Sequence, residues 1–295
     1  MEISGLGFWS SIWLIIRHPP LLPRGIEWMR ASAQEFFIPQ FATCLLPRRR
    51  RIAVVGHRLD GAIPFVPHPI RRYLGYVAFC LKTFLYLYSS FGSKAVPQIA
   101  AMMDGIVSLH RASGRIYRRC QSTTAFKRHL APDPNFLLIR LVDPHLHCIP
   151  SLHILTVCFL YHRIRKAVSK LDSTEDRSKE ATAQTYVQAL RITEAALMVK
   201  QHSLADIGPT LFLLSRMFPD YDSGEIERFV SDLFAGSPYI EPKQRILIRE
   251  AVLLDYRQML TAERLLPATD PTELILRFLN GSLPGAGKKL HSPLV

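Results

Sequence analysis

Apolar side chains recur along this chain at the spacing of helical turns, and no apolar–polar alternation runs for more than a few residues. A sheet-based fold has no pattern to grow from, so the expected class is all-α. The clearest case is Ile226, Phe229, Val230, Leu233 and Phe234, which follow an Asp222-Ser223 start with Glu225 in the first turn. A second helix is expected from Pro242 to about Leu266. A third is signalled by Asp270, Pro271 and Glu273: a cap, a first-turn proline and a carboxylate at the positive helix end. It should stop at Asn280-Gly281. Twenty-one prolines argue against long uninterrupted coiled coils.

The chain divides by character into an apolar segment, residues 1–50, a core at 51–220 holding most of the histidines, and an amphipathic helical region with a tail at 221–295. No run of 18 residues is free of charge and punctuation, the usual requirement for a spanning helix. The best candidate, 73–92, is interrupted by Lys82, and shorter apolar stretches lie at 4–16, 36–46, 96–109, 152–161 and 207–214. The first lacks both the preceding positive charge and the following small-residue site of a signal peptide. It reads as an interfacial or membrane-entering segment, or equally as a buried helix. The polar stretch 171–185 reads as a loop or a solvated helix end.

A formal charge of +13 favours anionic partners: phosphates, acidic lipid surfaces or nucleic acid. Nucleic acid ranks lowest, because the basic residues fall in no recognisable binding motif. Five cysteines, odd in number and without a C-x-x-C pair, read as reduced, mostly buried thiols. The tail residues Gly287, Lys288 and Lys289 lack the earlier glycine and the following Ser or Thr of a phosphate loop, which leaves a basic tail.

Two short motifs carry chemistry. Pro150 and Ser151 look like a helix start with Ser151 as cap, which puts His153 in the first turn. Free backbone N–H groups there favour an anion, and an imidazole can protonate a leaving oxygen. In Lys200-Gln201-His202-Ser203-Leu204-Ala205-Asp206, the four-residue spacing puts His202 and Asp206 on one face of a helix. A carboxylate so placed fixes the imidazole tautomer and frees the other nitrogen to attack. Taken singly, each motif is more often structural than catalytic. His145 and His147 make a poor zinc signal and read as rim residues, and Asp143 as a loop brace.

From about Asp60 to Leu214, roughly half of the chain, these motifs resemble the type 2 phosphatidic acid phosphatase superfamily, which includes vanadium haloperoxidases and lipid phosphotransferases. The likeness is to the branch with Pro-Ser-Leu-His and Lys-Gln-His motifs, and Asp60, Ile63, Pro64 and Phe65 resemble that branch's early segment. The resemblance implies a helical bundle embedded in a membrane, with 221–295 as an extra helical region. It implies a nucleophile at His202, oriented by Asp206, and an acid at His153. Ser151, Arg111, Arg118 and Lys200 would bind the phosphate, and neither metal nor cofactor is needed. Arg111 and Arg118 stand at the spacing of a family motif that has Lys and Arg-Pro, with Arg119 in place of the proline. Ala196 occupies a position where the family usually has arginine. The bland alternative makes the arginines of 111–119 a solvated or headgroup-facing patch.

The expected function is a phosphatase of a phosphorylated lipid or other phosphate ester, acting through a phosphohistidine. The alternatives are a lipid phosphotransferase of the same kind, or a membrane-associated helical interaction protein without activity. The basic cluster His162, Arg163, Arg165, Lys166 and Lys170 suits a cytoplasmic side. That would put the site on the outer face of the plasma or inner membrane and 221–295 in the cytoplasm, while the arginine run at 48–51 would sit, against the usual tendency, near the outer face.

Overall fold

In the computed structural model, residues 2–46, 51–126, 128–129, 131–171 and 175–284 are described, with main chain only for 175–178. Most of the arginine run at 48–51 and the basic tail from 285 onward lie outside them. The protein is all-α. Its helices are α1 (Phe8–Arg17), α2 (Leu22–Ala31), α3 (Ile38–Leu45), α4 (Ile70–Leu74), α5 (Tyr76–Phe91), α6 (Val96–Arg119), α7 (Pro134–Val142), α8 (Leu152–Leu171), α9 (Glu175–Met198), α10 (Ile207–Met217), α11 (Ser223–Asp232), α12 (Pro242–Leu265) and α13 (Pro271–Leu279). Two four-residue strands, β1 (Ile52–Val55) and β2 (Gln121–Thr124), pair in parallel with Ile52 opposite Gln121.

Helix α8 runs through the core. Every residue from Leu152 to His162 is buried, as expected of a helix that is apolar on all sides. It packs against α5, α6, α9 and α10. Close approach to α6 depends on Gly105: a Cβ there would lie 2.1 Å from Cζ of Phe159. Gly105→Ala is therefore expected to cost about 1–3 kcal/mol through overpacking, read as a lowered urea midpoint at constant m-value.

Helices α2 and α3 are joined without a break by a π-helical segment, Ser32–Phe37. Glu35 of this segment reaches toward α6, where Gly114 leaves room for its carboxylate. Gln40 on α3 accepts from the backbone N–H of Leu146 at 2.9 Å, which ties this rod to the 143–148 loop.

The C-terminal helices start and stop where their caps predict. Asp222 caps α11 through the N–H of Glu225, Asp270 caps α13 through that of Thr272, and Gly281 has φ +67. They do not stand apart, since one buried apolar cluster runs from Ile3 to Leu283. Gly208 on α10 lets α12 approach, its Cβ position lying 2.7 Å from Cβ of Asp255. Within the polar stretch 171–185, α9 already begins at Glu175.

Among the described residues, no helix is long and apolar enough to cross a membrane. The basic cluster at the far end of α8 is occupied by ion pairs: Arg163 and Lys166 to Asp220, and Arg165 to Glu225. Four cysteines are buried and Cys44 is exposed, all of them free.

Candidate active site

Ser151 caps α8 as its sequence suggests: its Oγ accepts from the N–H of Ile154 at 3.4 Å. The cap is held by the Thr210 hydroxyl, which accepts from the Ser151 N–H at 2.9 Å. This leaves His153 in the first turn of α8, buried between Tyr73, stacked at 4.2 Å, and Tyr76, also at 4.2 Å.

His202 arrives by a different route from the expected helix face. Lys200 adopts φ +57 and α9 stops at Met198, with Gln201 and His202 both donating to the Ala196 carbonyl. Ser203 and Asp206 then form a capping box: the Ser203 side chain accepts from the Ala205 N–H, and Asp206 Oδ2 accepts from the Ser203 N–H at 3.0 Å. The same oxygen lies 2.8 Å from Nδ1 of His202. The His202–Asp206 pair is therefore made by a turn between two helices. A helix carried through residue 202 would leave no way to reverse toward α8.

With Nδ1 donating to Asp206, Nε2 of His202 holds the free lone pair, 3.3 Å from Ser151 Oγ. The two imidazole rings meet edge to face with centroids 5.7 Å apart. His202, Asp206, Ser151 and His153 are thus brought together and buried.

The expected cations are not with them. Arg111 pairs with Glu27 and Arg118 with Glu35, both at exposed positions on α6. Lys200 is near in sequence, but its Nζ donates to the backbone carbonyls of Asp60, at 2.7 Å, and Ile63. It holds the loop instead of facing the histidines. Ala196 is fully buried in a second apolar cluster with Ile70, Tyr73, Phe136 and Ile139, where an arginine would have no room.

The cation beside the site is Arg128, which sequence reasoning did not single out. Its Nη1 donates to the Asp143 carbonyl at 2.8 Å and its Nη2 to Gln201 Oε1 at 2.9 Å, while its buried Nε has no partner. It bridges the 143–148 loop to the residue preceding His202. No local signal marks it, because both partners are distant in sequence.

His145 and His147 also have structural partners: His145 Nε2 lies 2.8 Å from Thr124 Oγ1, and His147 stacks on Tyr117 at 3.8 Å. Asp143 braces its loop by accepting from the His145 N–H at 2.8 Å. The small cavity lined by Asp143, His145, His147, Cys148, His153, His202 and Phe36 is about 10 Å³, room for about one water-sized group. A phosphoryl group needs roughly 3–3.5 Å to its nucleophile and a hydrogen-bond length to its acid, so the two rings must separate to admit one.

Burial, and secondarily His202, pushes the His153 pKa well down, so the ring is neutral near pH 7. Asp206 is pushed up by burial to about 6, against the hydrogen bond from His202. For His153 the unfolded chain, with a pKa of about 6.5, binds a proton that the folded chain refuses. Its stabilising effect is complete above that value and is lost as pH falls. Compared with His153→Gln, the wild type should lose up to about 1.4 kcal/mol per pH unit between pH 6.5 and 5, measured as the difference of two urea-unfolding series.

Cys148, His202 and Asp206 offer ligand atoms within 4.8 Å of one another. A soft divalent ion would suit such a set, and Asp206 Oδ1 is buried without a hydrogen-bond partner while Oδ2 holds His202 Nδ1 at 2.8 Å.

A second cavity of about 650 Å³, almost wholly apolar, lies among α1, α2 and α5, lined by Phe8, Ile12, Trp28, Phe36 and Tyr76 among others. Phe36 lines both cavities, and Tyr76 packs on His153. No protein-family model, curated protein or solved structure matches the chain.

Proposed function

We propose that the chain is a phosphatase of a phosphorylated lipid or other phosphate ester, of the type 2 phosphatidic acid phosphatase kind. The observation carrying this is the buried relay Asp206–His202–Ser151, with the His153 ring 5.7 Å from that of His202. Nε2 of His202 attacks phosphorus, and the bond to the ester oxygen breaks. His153, having taken a proton from the incoming phosphate or from water, passes it to that oxygen. Water then attacks the phosphohistidine as His153 takes its proton, and inorganic phosphate leaves. An alcohol in place of that water would make the same site a phosphotransferase.

Ser151 Oγ and the α8 N-terminus supply donors to the phosphoryl oxygens, and Arg128 supplies the charge expected of Arg111, Arg118 and Lys200. The apolar cavity, which shares the lining residue Phe36 with the small cavity at the histidines, supports a substrate with an alkyl chain. Such an enzyme would work at a membrane, with its site on the outer face of the plasma or inner membrane.

The test is release of inorganic phosphate by the purified chain, with chelator present, from a soluble aryl phosphate and from a lysophosphatidate in micelles. Acid-labile phosphate on His202 after brief exposure to substrate is the expected companion result. No release from either compound would sink the proposal. The tight cavity and the ion-paired arginines favour one second reading, an inactive helical interaction protein, which predicts phosphate-analogue binding without turnover.

A further inference from the structure

The N-terminal rod and the helix before it carry large apolar side chains into solvent. Trp9 is 77 % exposed, Met29 67 % and Leu45 81 %, and Trp13, Ile26 and Ile38 are all more than half exposed. Large apolar side chains exposed in this number on three successive helices mark a surface that is rarely left uncovered. The charged residues of α2 and the π segment turn aside to α6: Arg24 to Asp104, Glu27 to Arg111 and Glu35 to Arg118. Arg30 of α2 and Arg115 of α6 are exposed as well, and Arg119 on α6 is paired with Glu273 of α13, which leaves this flank with more arginine than carboxylate.

We infer that α1–α3 dock into one leaflet of an anionic bilayer, with the α6 arginines at headgroup level. Two features choose this occupant over a second copy of the chain. Face-to-face copies would oppose two basic rims, whereas acidic headgroups complement one, and the chain as a whole carries +13. The insertion is shallow: the ten residues of α1 span about 15 Å, half of a hydrocarbon core of about 30 Å. Apolar helices of this length lie in the interface. Arg17, 5.9 Å above the Trp13 ring, is placed to reach headgroups while its stem covers apolar surface. The apolar cavity is lined by Phe8 and Ile16 of α1, Ile26 of α2 and Phe37 of the π segment. An amphiphile's chain could pass from leaflet to cavity, which extends the lipid reading of the substrate. Docking itself needs no chemistry.

The experiment uses the full chain without detergent and vesicles of phosphatidylglycerol and phosphatidylcholine, with phosphatidylcholine alone for comparison. Sedimentation should show at least about tenfold stronger binding to the acidic vesicles. Lipids brominated in mid-chain should quench Trp9 and Trp13 but not the buried Trp28, leaving a residual signal. The double variant Trp9→Ser, Trp13→Ser should lose this quenching and about tenfold or more of its binding, while hydrolysing a soluble aryl phosphate as the wild type does.

Failure to bind acidic vesicles would overturn the inference, as would salt-reversible binding without quenching. So would a dimer in light scattering that the double variant abolishes, since the face would then be an interface between copies. His202→Ala should bind vesicles like the wild type. Binding without turnover would defeat only the phosphatase proposal, and turnover without binding only this one.

Discussion

His202→Ala is expected to lower the hydrolysis of a soluble phosphate ester by about a thousandfold or more, with the protein still folded. In the proposed mechanism Nε2 of His202 is the attacking atom, and it is the imidazole nitrogen that lies 3.3 Å from Ser151 Oγ. Asp206→Asn should cost less, because an amide can still hold the ring by accepting from Nδ1–H while losing the charge that stabilises the imidazolium form. The two losses should appear mainly in kcat, since neither residue holds the alkyl part of a substrate. Rates for His202→Ala within tenfold of wild type would put the chemistry elsewhere.

Asp60→Ala should be the most damaging change outside the histidines, at roughly 3 kcal/mol or more of stability. Its Oδ2 accepts from the His57 N–H and the Ser203 hydroxyl, both at 2.7 Å, and its Oδ1 from the Leu204 N–H at 2.9 Å. Removing the carboxylate strands two buried donors, Ser203 and Leu204, a partly buried one, His57, and the Lys200 ammonium nearby. Because Ser203 sits inside the capping box that forms the His202–Asp206 pair, activity should fall along with stability. A variant that lost stability but kept full turnover would show that the turn holds its shape without Asp60. Urea unfolding and steady-state rates on the same preparation read both quantities.

The legible parts of the fold were those written in adjacent residues. Asp222, Asp270 and Ser151 each cap the helix they announce, because capping is settled within three residues of chain. The four histidine-site residues could be found because two short motifs hold them. What lay beyond reading was the matching of surfaces. Arg111 and Arg118 have suggestive spacing, but spacing on a helix fixes only which residues share a face, and that face met Glu27 and Glu35. Lys200 has the right charge beside His202, yet its left-handed backbone turns the ammonium back toward Asp60 and Ile63. Arg128 gained its position from two long-range partners, Asp143 and Gln201, that no local pattern connects.

The π segment at Ser32–Phe37 makes residue number, and not only residue type, matter at one place in the chain. Each residue of a helix advances the rod by about 100°. A π turn is what an α-helix becomes when it accommodates one extra residue. Losing a residue here would leave a perfectly good helix but turn everything after it by that angle. Gln40 would swing away from Leu146, and the outward face of α3 would rotate toward the protein. Whatever like-for-like exchanges α1–α3 accept, lineages of this protein should therefore hold constant length between Trp28 and Gln40.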